Sequence, residues 1–83
     1  MIRTLSEQEK KHIQQTLRDT GYHLDGGSYE EAGSKKTAKY WLTIDFNGRT
    51  YGAKLAERLH EILDAEIYIN GMKLEKPQTY SLV

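Results

Sequence analysis

The sequence predicts an α+β fold. It reads as a single small domain in the order α-β-β-β-α-β-β, with a mainly antiparallel sheet and two helices packed on one face. Three observations carry this expectation. Two Asn-Gly dipeptides, Asn47-Gly48 and Asn70-Gly71, each lie between alternating apolar residues, the strongest short hairpin signal. Leu55, Leu59, Ile62 and Leu63 recur at i, i+4, i+7 and i+8, one stripe of a buried helix. Ser6 and Glu9 form a capping box ahead of a helical stretch that stops at Gly21. At 83 residues one domain is expected over 1–83, with 1–5 and 76–83 left as tails.

The first helix is expected from about Glu7 to Thr20. The Ser6 hydroxyl can accept from the Glu9 amide, and the Glu9 carboxylate can reach back. Glu7 and Glu9 also sit at the positive end of the helix dipole. Its apolar stripe is thin, Ile13 and Leu17 with Leu5 or Thr20 at the ends, so this helix reads as a lid. Tyr22 to Leu24 start a strand, which Asp25-Gly26-Gly27-Ser28 breaks or bulges. A turn at Gly33-Ser34 would bring Glu30-Glu31 back onto Lys35-Lys36. Counted outward from that turn, Tyr22 and Leu24 fall on the wrong face. A one-residue bulge near Gly26-Gly27 restores the parity.

Tyr40, Leu42, Ile44 and Phe46 alternate with Trp41, Thr43 and Asp45, which is strand period. A two-residue turn at Asn47-Gly48 would pair Phe46 with Arg49, Ile44 with Tyr51 and Leu42 with Ala53. The second helix follows from about Lys54 to Leu63. Asn70-Gly71 then pairs Ile69 with Met72, Tyr68 with Lys73 and Ile67 with Leu74. All four apolar residues of this hairpin fall on one face. Pro77 ends the ladder, and Tyr80, Leu82 and Val83 form an apolar tail.

Composition narrows the function classes. Twelve Lys+Arg balance twelve Asp+Glu, so no long-range field draws the chain to nucleic acid or an anionic membrane. There is no Cys, which excludes a zinc ribbon, a disulfide scaffold and a thiol nucleophile. No stretch approaches the roughly 18 apolar residues of a membrane span. Met1 to Glu7 lack the apolar core of a secretory signal. The expectation is therefore a cytoplasmic protein with no membrane contact.

Gly33-Ser34-Lys35-Lys36-Thr37-Ala38-Lys39 resembles the basic motif that opens the second helix of double-stranded-RNA-binding domains. That family also runs helix-strand-strand-strand-helix, and its lysines reach phosphates across a groove. Here the lysines lead into Tyr40-Trp41-Leu42-Thr43-Ile44, which alternates as a strand, and the segment precedes the Asn47-Gly48 hairpin. It reads instead as a charged hairpin tip. His12, His23 and His60 match no zinc or calcium pattern, and no nucleophile motif surrounds any Ser or Thr. Asp25-Gly26-Gly27-Ser28 lacks phosphate-loop spacing. No cofactor, no metal and no enzymatic activity are expected.

What remains is a surface. Register places Trp41, Thr43, Asp45, Thr50 and Tyr68 opposite the apolar face, with Lys39 and Lys73 beside them. Indole and phenol next to lysine suit a contact surface. The sequence therefore points to a non-enzymatic interaction module binding a macromolecule, most simply a protein, as a phage- or mobile-element-type inhibitor or adaptor. Its partner-binding residues would be Trp41, Thr43, Tyr68, Lys39 and Lys73. The alternative is a single-stranded nucleic-acid binder using Lys35, Lys36, Lys39 and Trp41, with Tyr68 as a further stacking ring. A homodimer through the open face or the tail edge is a linked expectation.

Overall fold

A computed structural model describes residues 2–31, 38–50 and 52–75. The elements are β1 (Ile2–Thr4), α1 (Glu7–Leu17), β2 (His23–Glu30), β3 (Lys39–Asp45), α2 (Ala53–Ile62), β4 (Glu66–Ile69) and β5 (Met72–Leu74). The strands form one sheet in the spatial order β1-β2-β3-β4-β5. Among the described strands β3 and β4 run parallel and the other neighbours are antiparallel. The chain is thus an α+β domain with a mixed, mostly antiparallel sheet.

The local signals act as their chemistry requires. The Ser6 hydroxyl accepts from the Glu9 amide at 3.2 Å, and the Glu9 carboxylate accepts from the Ser6 amide at 2.9 Å. After α1 a short 3-10 turn, Arg18–Thr20, leads to Gly21 at φ +78°, the left-handed residue that ends a helix at least steric cost. Both Asn-Gly pairs have positive φ at both residues, as a type I′ turn demands: 54° and 75° at Asn47-Gly48, 51° and 86° at Asn70-Gly71.

The second turn closes the expected hairpin, with Ile67↔Leu74, Tyr68↔Lys73 and Ile69↔Met72 in register. The bulge is also present. Leu24 faces Ile44 but Gly26 faces Thr43, so Asp25 is the additional residue. Leu24 and Ile44 are both buried in consequence.

Three placements differ from the expectation. Asn47-Gly48 turns the chain, but no strand follows it over Arg49 and Thr50, and Ala53 opens α2 instead. Both edges of β3 are already occupied, by β2 on one side and by parallel β4 on the other. A parallel neighbour needs a long crossover, and 46–65 with α2 supply it. The turn pins the end of α1 instead: Asn47 Nδ2 donates to the Gly21 carbonyl at 2.6 Å, and Arg49 donates to the Thr20 carbonyl at 3.1 Å. Secondly, the fifth strand comes from the expected N-terminal tail, where Ile2, Arg3 and Thr4 pair with Glu30, Tyr29 and Ser28. Thirdly, Met72 is 69% exposed although Ile67, Ile69 and Leu74 are buried. It lies beside the turn on β5, which among the described residues has a strand neighbour on one side only. The turn expected at Gly33-Ser34, the residues Lys35, Lys36 and Tyr51, and Pro77 with the apolar tail lie outside the described residues.

One cluster forms the core. Leu5, Ile13 and Leu17 join Leu55, Ala56, Leu59 and Leu63 with Leu24, Leu42, Ile44, Ile67, Ile69 and Leu74. Where β4 ends, Asn70 continues the ladder with its side chain. Its amide donates to the Ile44 carbonyl at 3.0 Å and accepts from the Ile44 amide at 2.9 Å, so it stands in for a peptide group on the edge of β3.

An ion pair ties β1 to α1. The Arg3 guanidinium donates to both Glu9 oxygens at 2.7 and 3.0 Å and lies 4.7 Å from the centre of the Tyr29 ring. The Arg3 hydrogen bond, aided by the Ser6 amide, holds the Glu9 carboxyl down at about 2, against an ordinary 4.5. A carboxyl depressed in the folded state stabilises above its unfolded pKa and loses that contribution as pH falls through the folded value. Arg3 is half exposed, so solvent screening keeps the contribution small. Glu9→Gln keeps the capping box but removes the charge. Urea unfolding should show it less stable than the wild type at pH 7, with the gap closing between pH 4.5 and 2. A gap that does not change with pH would mean the ion pair contributes nothing.

Candidate functional site

The side-chain alternation that buries Leu42 and Ile44 sends Lys39, Trp41, Thr43 and Asp45 to the opposite, outer face of β3. Register extends that face across the sheet. Thr4, Ser28, Trp41, Tyr68 and Lys73 form one transverse row, and Ile2, Glu30, Lys39 and Glu66 form the next. Four of the five residues expected to bind a partner thus lie in two adjacent rows. Thr43 lies one step further along β3 and is exposed.

Trp41 and Tyr68 occupy directly opposed positions on parallel strands, and their rings stack with centres 4.2 Å apart at 16°. The indole Nε1 donates to Glu30 Oε1 at 3.1 Å, which fixes its orientation. The stack is therefore held before any partner arrives. The lysines are less free than the sequence suggests. Lys39 lies in register between Glu30 and Glu66. Lys73 Nζ is 3.1 Å from Glu66 Oε1, and this hydrogen bond with its charge attraction raises the Lys73 pKa.

Sequence reasoning missed the β2 side of this face. An open depression of ≈ 380 Å³ lies against the stack, lined by Asp25, Gly26, Gly27, Ser28 and Thr43 as well as by the two rings. The Gly-Gly pair signalled a bulge, but not that its neighbours would border the aromatic pair. A second depression of ≈ 300 Å³ includes His60, Asp64, Glu66 and Lys73. There His60 Nε2 lies 3.1 Å from the Leu74 carbonyl oxygen, a bond that ties α2 to β5. His12 is exposed on α1, and His23 is 3.7 Å from Asp25. Among the described residues no three His, Asp or Glu side chains are grouped to hold a metal ion. Nor is any helix among them long and apolar enough to cross a membrane. No protein-family model matches the chain, and no curated protein or solved structure is significantly similar to it.

Proposed function

We propose that this chain is a non-enzymatic interaction module that docks on a protein through the outer sheet face, as an inhibitor or adaptor of the phage or mobile-element type. The observation that carries the reading is the Trp41–Tyr68 stack, standing on the face opposite the core and in line with Lys73. Aromatic side chains held rigid before binding lose little conformational freedom on contact, and Trp and Tyr dominate the energetics of protein interfaces. The face also carries both signs of charge, Lys39 and Lys73 among Glu30, Glu66 and Asp45, which suits a polar rim around an aromatic centre. The same carboxylates work against a nucleic-acid strand, because each of these lysines stands beside a glutamate.

The test is capture from the native host with the wild-type chain and with a Trp41→Ser/Tyr68→Ser variant, after nuclease treatment. The reading expects a protein retained in stoichiometric amount by the wild type and lost with the variant. Retention unchanged by the variant, or abolished by nuclease, would overturn it. The second result would favour the nucleic-acid alternative.

A further inference from the structure

The bulge in β2 does more than restore parity. Leu24 is buried, and a side chain at Gly27 would point at Leu5 and Leu42 on the core side. The two residues between them therefore both belong to the outer side, where an unbulged strand would have sent them to opposite faces. Asp25 and Gly26 accordingly border the ≈ 380 Å³ depression together. In register with Trp41 on this side stands only Ser28, with Gly26 beyond it. One face of the indole rests on Tyr68, while its register neighbour on the β2 side is the small Ser28 and Glu30 takes the ring nitrogen.

Charge narrows what fits there. Among the described residues Asp25 is the one formally charged member of the lining, and it lies 3.7 Å from His23, with both side chains more than half exposed. Glu30 adds a second carboxylate at the indole nitrogen. A phosphate or carboxylate would meet like charge. A cation would meet a carboxylate beside an aromatic wall, and a guanidinium suits both, since it stacks flat on an indole and can bond a carboxylate through two N–H groups. We infer that this depression takes an arginine side chain of the protein partner, packed against Trp41 and paired with Asp25, with the Thr43 and Ser28 hydroxyls as further acceptors. This inference rests on the docking reading above and names the chemistry of its partner.

The test uses the full chain and the peptide acetyl-Gly-Arg-Gly-amide, with its lysine and citrulline counterparts as comparisons. Amide NMR shifts and Trp41 fluorescence report binding. The arginine peptide should bind saturably, with shifts at Gly26, Gly27, Thr43 and the Trp41 indole. The neutral citrulline peptide should bind about tenfold more weakly or worse, as loss of one charged contact implies. The lysine peptide should fall between them. Asp25→Asn, at an exposed position, should lower arginine affinity by a similar factor and leave the rest of the spectrum unchanged. Equal binding of arginine and citrulline, or no saturable shift at these residues, would overturn the inference. If that happens while the Trp41/Tyr68 variant still loses its captured protein, the docking reading stands without the arginine. If capture survives that variant, the docking reading falls and takes the assignment to a partner with it.

Discussion

Leu59→Ala is expected to lower the free energy of unfolding by about 2–5 kcal/mol. Leu59 has no exposed surface, and it lies one turn after Leu55 on the buried stripe of α2. Truncation removes the transfer free energy of the side chain and leaves a cavity that neighbours fill only in part. The small core sharpens the consequence. A domain of this size has no disulfide to fall back on, and total stabilities run to about 5–15 kcal/mol, so the variant should be partly unfolded near physiological temperature. Urea titration followed by far-UV circular dichroism measures the loss. A change below about 1 kcal/mol would mean that α2 is not the main core helix.

Gly27→Ala should be the next most damaging change for its size. A Cβ at this position would lie 2.6 Å from the Trp41 carbonyl oxygen, 3.0 Å from Leu5 Cδ1 and 3.1 Å from Leu42 Cδ2. The leucines can give by rotating, but the carbonyl belongs to the β3 backbone. Relief therefore requires β2 and β3 to separate, where Gly27 faces Leu42 in register and its carbonyl accepts from the Leu5 amide at 3.1 Å. The expected loss is about 1–3 kcal/mol, the usual cost of overpacking, with amide shifts spreading along both strands. Ser28→Ala, one residue on and on the outer face, should change stability by about 0.5 kcal/mol or less. Equal effects from the two substitutions would show that the strands do not approach closely at Gly27.

How far the sequence could be read follows from what each signal encodes. Alternation tells which face a residue takes, so the outer positions of Trp41, Thr43 and Tyr68 were legible, and so was the whole register of the β4–β5 hairpin. It does not tell which strand lies beside which. The Asn47-Gly48 turn forms with the expected backbone, yet no strand follows it over Arg49 and Thr50, because β4 takes that edge of β3 after the α2 crossover. Competition for a strand edge is a tertiary matter that no local pattern records. Ile2–Thr4 carries too few residues for any period to show. Met72 obeys the parity of its hairpin and is exposed all the same, since parity assigns a side but not a cover. Asp25 was hidden for a related reason: Gly26 and Gly27 announced a bulge, and the residue actually doubled was their neighbour. The part of the site that escaped notice is therefore the part made by irregular backbone.

The central claim is that the indole and phenol stand together on the solvent side of the sheet while the helices bury the other side. A soluble gadolinium chelate tests it directly, since it broadens proton signals according to their nearness to solvent. The Trp41 and Tyr68 ring signals should broaden well before the methyl signals of Leu42, Ile44, Leu59 and Ile67, with cross-peaks linking the two rings. Trp41 signals as protected as those of Leu59, with Leu42 and Ile44 broadened in their place, would contradict the register of β3 and remove the docking face.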